Sequence, residues 1–218
     1  MTVSEHSRWI VFNAFGLGFG FVAMLQAGMF IEFGFKWDMH WVWNERPVIE
    51  GTRPYLNNFV SALVGGAIFG TAQAVAVRSR NVAPTPWIVA TVIGFGALAV
   101  IVDWPLIALG LMGVIPGPVE TIIATVGGGA FAGLFQYAML RRRHINASKW
   151  LILWLVGLVV SLVPMVMLFF TLEALTMLPN WPIEVFIIGF LVGGFAALAS
   201  GRALFSALAG ATAELDRN

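Results

Sequence analysis

Two stretches, "GGAIFGTAQAVAVR" (65–78) and "GGAFAGLFQYAMLR" (128–141), decide the fold of this 218-residue chain. Laid over one another they match at Gly65/Gly128, Gly70/Gly133, Gln73/Gln136 and Arg78/Arg141, a constant offset of 63 residues. A weaker third copy, "GFLVGGFAALASGR" (189–202), keeps Gly189, Gly194 and Arg202 but has Ala197 in place of the glutamine. Between these copies lie segments led by tryptophan: "RWIVFNAFG" (8–16), "PWIVATVIG" (86–94) and "KWLILWLVG" (149–157). Each sets its tryptophan seven residues before a glycine, as Trp9–Gly16, Trp87–Gly94 and Trp150–Gly157. Self-similarity at a fixed period marks a repeated architecture.

The repeat is built for lipid. Apolar residues make up 59% of the chain and charged residues 11%, far below the roughly 25% charge of a soluble domain. Such a chain has too little polar surface to coat a water-soluble core. Six apolar segments, about 8–33, 57–77, 86–113, 119–140, 148–178 and 182–205, are each long enough to cross a hydrocarbon layer of about 30 Å. Backbone polar groups in lipid must pair within the segment, so spans of this length and apolarity are helices. The first is expected to be a retained span, because it is long, lacks a clear cleavage site and belongs to the repeat.

Charge sets the expected orientation. Arg8, Arg78, Arg80, Arg141, Arg142, Arg143, Lys149, Arg202 and Arg217 fall on one side of a six-span chain, and only Lys36, Arg46 and Arg53 on the other. The positive-inside rule then predicts an inner (cytoplasmic) membrane protein with both termini in the cytoplasm. The same rule accounts for the run Arg141–Arg143 without an anionic-lipid or nucleotide site. A net charge of +1 gives no pointer to nucleic acid. The chain has no cysteine, and its three histidines, His6, His40 and His144, lie outside the apolar runs, which argues against a haem or chlorophyll held by intramembrane histidine. No other cofactor is indicated.

The unit is therefore a helical hairpin: a span ending in Gln-x4-Arg, a basic turn, and a span opening with tryptophan. Two spans per unit make successive units face the same way, related by an axis along the membrane normal. The predicted fold is an all-α integral membrane protein of six transmembrane helices, forming a single domain over residues 1–218. Three pseudo-threefold hairpins make it up, one split between the termini, so that spans one and six touch. Gly66/Gly70 and Gly129/Gly133 are GxxxG pairs that let a neighbouring backbone approach. Trp9, Trp87 and Trp150 are expected in the aromatic belt at the cytoplasmic headgroups. Gln73 and Gln136, about 7.5 Å inside their arginines, are expected to pin one hairpin against the next by a hydrogen bond, or else to touch a ligand. The stretch "TVGGG" (125–129) aligns with "LVGGA" (63–67), so it reads as a glycine seam and not an ion filter.

Two places break the repeat. The outer loop, 34–57 in the span assignment, carries Trp37, Trp41, Trp43 and Tyr55 and is about 15 residues longer than its counterparts. Its composition suits an apron in the outer headgroups, a lid over an outer cavity, or a docking surface for another subunit. The other break is Asp103, whose counterparts Leu25 and Val166 are apolar. An intramembrane carboxylate marks a functional site by default. Pro105 offers the alternative that Asp103 caps a locally opened helix or snorkels outward. Glu32 and Glu173 correspond to each other and are expected at the outer interface.

The pattern G-x-x-Q-x-x-x-x-R resembles that of a set of uncharacterised bacterial multi-pass membrane proteins, in which it often reads G-x-x-Q-W-x-x-L-R. Here Gly133, Gln136, Tyr137, Leu140 and Arg141 fit with tyrosine for tryptophan, and Gly70, Gln73 and Arg78 fit more loosely. The resemblance implies no activity and no catalytic residue. Glycine seams and aromatic faces without a catalytic cluster suggest a non-catalytic subunit that packs against a larger membrane complex, lipids or pigments. The competing expectation is a small-solute transport protein, or a substrate-capturing transporter subunit, with an outer pocket near Asp103. An intramembrane enzyme is the least supported, because the spans show no His/Glu metal cluster and no serine–histidine pair.

Overall fold

A computed structural model describes residues 3–33, 53–78, 82–108, 117–141, 147–164, 166–167 and 181–215. These form an all-α bundle of long apolar helices. The helices are α1 (Val3–Phe33), α2 (Arg53–Val77), α3 (Pro84–Leu98), a short α4 (Trp104–Ala108), α5 (Gly117–Arg141), α6 (Ala147–Val160) and α7 (Trp181–Leu215). A π-helical turn, Ala99–Asp103, joins α3 to α4. Five of the helical stretches among the described residues are long and apolar enough to span a membrane. The fourth expected span corresponds to α5, whose 25 residues reach about 37 Å.

Helix boundaries follow local chemistry. Pro84 opens α3 at the position where a missing N–H costs nothing. Pro54 likewise falls in the first turn of α2, so that helix starts at Arg53 and takes in Tyr55, which the sequence reading assigns to the outer loop. Helix α7 runs ten residues past the expected end at 205, carried on by the alanine-rich "SALAGATAEL". Pro105 lacks an N–H and its ring crowds the carbonyl one turn back, which disfavours a regular α-ladder there. The chain answers with the π turn, in which the Trp104 N–H reaches back five residues to the Ala99 carbonyl.

The helices close into a ring. Each long helix packs on its chain neighbours, α1 on α2, α2 on α3, α3 on α5, α5 on α6 and α6 on α7, and α7 returns to pack extensively on α1. The first and last helices are thus neighbours, as a hairpin split between the termini requires. Glycines set the close approaches. A Cβ built on Gly94 of α3 would lie 2.5 Å from the Ala132 backbone of α5, and one on Gly157 of α6 would lie 2.6 Å from Ala196 Cα of α7. Their counterpart Gly16 presses in the same way on Ala72 of α2. Only glycine permits contact that close, and without a hydrophobic drive between helices in lipid, close contact is what holds them.

The bundle is apolar on both its faces. Helix α6 buries Trp150, Trp154, Gly157 and Leu158 and exposes Ile152, Val156, Val159 and Val160, the first and third of these at 60%. An exterior of exposed valine and isoleucine fits a bilayer and not water. The chain is a multi-pass membrane protein.

Candidate functional site

The most concentrated chemistry lies inside the bundle at its arginine-bearing end. Trp9, Trp87 and Trp150 each sit within the first two turns of an odd span, and all three are completely buried. Their rings pack on one another and on Trp154. Centroids are 6.3 Å apart for Trp9–Trp87, 6.2 Å for Trp87–Trp150, 6.1 Å for Trp150–Trp154 and 6.4 Å for Trp9–Trp154. Phe69 stacks on Trp154, and Phe205 meets Trp9 edge-on. This corrects the aromatic-belt expectation. A belt residue presents its ring to headgroups, whereas these rings fill the centre of the ring of helices. The same seven-residue spacing serves either role, because it fixes a stripe on the helix without saying which way the stripe faces.

Beside the indoles runs a chain of buried polar side chains from four helices. The Gln73 amide donates to Asn13 Oδ1 at 2.7 Å, and its oxygen accepts from Trp87 Nε1 at 3.2 Å. The Gln136 amide donates to Gln73 Oε1 at 2.5 Å and to Thr91 Oγ1 at 2.7 Å. Asn13 and Thr91 each return a bond to the carbonyl one turn back, Asn13 to Trp9 and Thr91 to Trp87. The side chains of Asn13, Gln73, Thr91 and Gln136 are all fully buried. The network ties α1, α2, α3 and α5 together, each interhelical bond contributing about 0.6–1.7 kcal/mol in lipid. Trp154 adds a bond from its Nε1 to the Gly129 carbonyl at 2.9 Å.

Asn13, Thr91 and Trp154 were not among the candidate residues, yet a signal for them exists. Each lies four residues after a repeat tryptophan, on the same face one turn further in. The hairpins also correspond in detail. A Cβ on Gly70 would meet Ile88 and Thr91, and one on Gly133 would meet Leu151 and Trp154, the positions 63 residues on. Gly66 faces Phe95, and Gly129 faces the counterpart Leu158. Gly194 is in looser surroundings, with Ala14 Cβ at 3.6 Å; its neighbour Gly193 is the one pressed on Asn13.

The arginines behave differently from the glutamines. Arg78, Arg141 and Arg202 are exposed. Arg8 folds over the end of α2 and donates from Nε and Nη2 to the Ala76 carbonyl at 3.3 and 2.9 Å. A cation there satisfies a carbonyl in the helix's last turn and complements its dipole.

A second polar feature lies at the opposite end of α3. Asp103 closes the π turn and is only 9% exposed, so it does not snorkel outward. The next residue, Trp104, donates to the Tyr55 carbonyl at 3.2 Å and meets the Tyr55 ring edge-on at 5.9 Å. Phe59 completes this aromatic corner. Trp37, Trp41 and Trp43 lie outside the described residues. Among the described residues, no group of three or more His, Asp or Glu side chains is placed to hold a metal ion. Comparison with protein-family models, with curated proteins and with solved structures gave no match.

Proposed function

We propose that this chain is a non-catalytic multi-pass subunit of the inner membrane that packs against or organises a larger membrane complex, its lipids or its pigments. The observation that carries this reading is the filled centre. Where a carrier would place a solvated cavity, Trp9, Trp87, Trp150, Trp154 and Phe69 pack ring on ring, and the glutamines bond to each other. Polar groups are spent on holding the bundle together. The exterior is left apolar, with Phe15 and Phe19 of α1 clustered against Phe186 and Phe190 of α7. In this reading the chain consists of three hairpins about one axis, two of them closely matched and the split one divergent, with both termini in the cytoplasm. The likeness to bacterial multi-pass proteins carrying the G-x-x-Q-[WY]-x-x-L-R helix belongs to the same reading.

Mild extraction from native membranes followed by mass measurement tests the proposal. A fixed stoichiometry with other membrane proteins is the expected result. Purification as a lone chain that moves a small solute overturns it.

One observation favours a second reading. Asp103 is a buried carboxylate in a π turn, and π turns recur at functional sites. A solute-capturing protein would use it beneath the aromatic corner of Tyr55 and Trp104. The variant Asp103→Asn separates the two: uptake abolished by this change supports capture, and an intact complex with no change in its activity supports the subunit.

A further inference from the structure

Three fully buried hydrogen-bonding atoms of the indole core have no protein partner: Trp9 Nε1, Trp150 Nε1 and Gln136 Oε1. Their positions are related. In the first hairpin Trp87 Nε1 donates to Gln73 Oε1. Moved on by 63 residues, the same donor and acceptor are Trp150 Nε1 and Gln136 Oε1, and there both remain unpaired. The Gln136 amide is turned instead towards Gln73 and Thr91. In the split hairpin the acceptor is deleted outright, because Ala197 stands where the glutamine belongs, and Trp9 keeps a donor with nothing to meet it. Trp9 and Trp150 both pack on Trp87 and Trp154, so the three atoms belong to one cluster.

We propose that this cluster is an internal hydration site, in which water accepts from the indoles of Trp9 and Trp150 and donates to Gln136 Oε1. The chemistry narrows the guest. Two N–H donors repel a cation, and a carbonyl acceptor repels an anion, so the guest is neutral and both accepts and donates. The enclosing rings leave no path for a large molecule to bridge these atoms. Water is the smallest species that fits, and buried waters occur where two to four otherwise unsatisfied polar groups converge. Replacement of glutamine by Ala197 supplies room beside Trp9 as well as the unpaired donor. The site deepens the core and stands apart from the role proposed for the whole chain.

The test is proton-detected solid-state NMR on the full chain in lipid bilayers, reading magnetisation transfer from water to each indole Hε1. The expected result is transfer to Trp9 and Trp150 from long-lived water, and weaker transfer to Trp87, whose proton is already engaged by Gln73. The variant Ala197→Gln supplies the missing acceptor and should remove the Trp9 signal while sparing that of Trp150. Absence of water transfer to both indoles in the unaltered protein overturns the proposal, and that measurement needs no variant to fold. A scalar coupling showing a direct Trp150–Gln136 bond overturns it too, as do upfield indole protons aimed at a neighbouring ring.

Discussion

Gln73 holds more of the inner core than any other single side chain. It accepts from Trp87 and Gln136 and donates to Asn13. Gln73→Leu strands the Trp87 N–H and Asn13 Oδ1 inside the bundle, and each unpaired buried group costs about 1–3 kcal/mol. Gln136→Leu loses two donated bonds but also removes an acceptor that had no protein partner, and Gln73 keeps its bond from Trp87. Unfolding in mixed micelles should therefore show Gln73→Leu as the more damaging change, by about 1–2 kcal/mol. Equal losses would mean that the two glutamines act as isolated contacts. At this scale the sequence was half legible. A glutamine repeated in lipid-embedded helices announces itself as a packing or ligand group. Asn13 and Thr91 do not, because each is a lone small polar residue whose partner only the ring of helices brings near. The tryptophans misled for a related reason: a ring near a basic helix end suits a headgroup belt until the direction of its face is known.

Among the helices, glycine spacing was the reliable signal, since it reports where backbones meet. Gly94 and Gly194 make a controlled pair. Alanine at Gly94 would drive a methyl to 2.5 Å from the backbone of Ala132, which cannot give way without α3 and α5 parting. Alanine at Gly194 would sit at an ordinary 3.6 Å from Ala14, and it gains up to about 1 kcal/mol of helix propensity. Thermal unfolding in detergent should show Gly94→Ala strongly destabilised and Gly194→Ala neutral or slightly improved. A reversal would place the α3–α5 seam elsewhere. The start of α2 was less legible, because Pro54 reads as a loop residue and only the tolerance of proline in a first turn lets the helix begin at Arg53. The π turn was unreadable in detail, although Pro105 beside Asp103 did mark the place.

For the molecule as a whole, the decisive feature is closure. An even number of spans, basic residues gathered at one end, and a repeat that starts and stops midway together imply that the first and last helices meet. The structure places α7 against α1 along a long seam, with Gly189, Gly193 and Gly201 pressed on Leu17, Asn13 and His6. What the chain encloses or carries was not legible, because function in a packed bundle depends on neighbours that the spans do not name. The absence of cysteine allows closure to be tested on a clean background. With Ala14→Cys and Gly194→Cys in one chain, the two Cβ atoms stand about 3.6 Å apart, within the range that a disulfide spans. Oxidation in native membranes should give a fast, intramolecular link within single chains, while Ala14→Cys paired with Leu134→Cys, whose second site is on the exposed face of α5, should stay unlinked. Linking of the α5 pair, with none between α1 and α7, would contradict the closed ring.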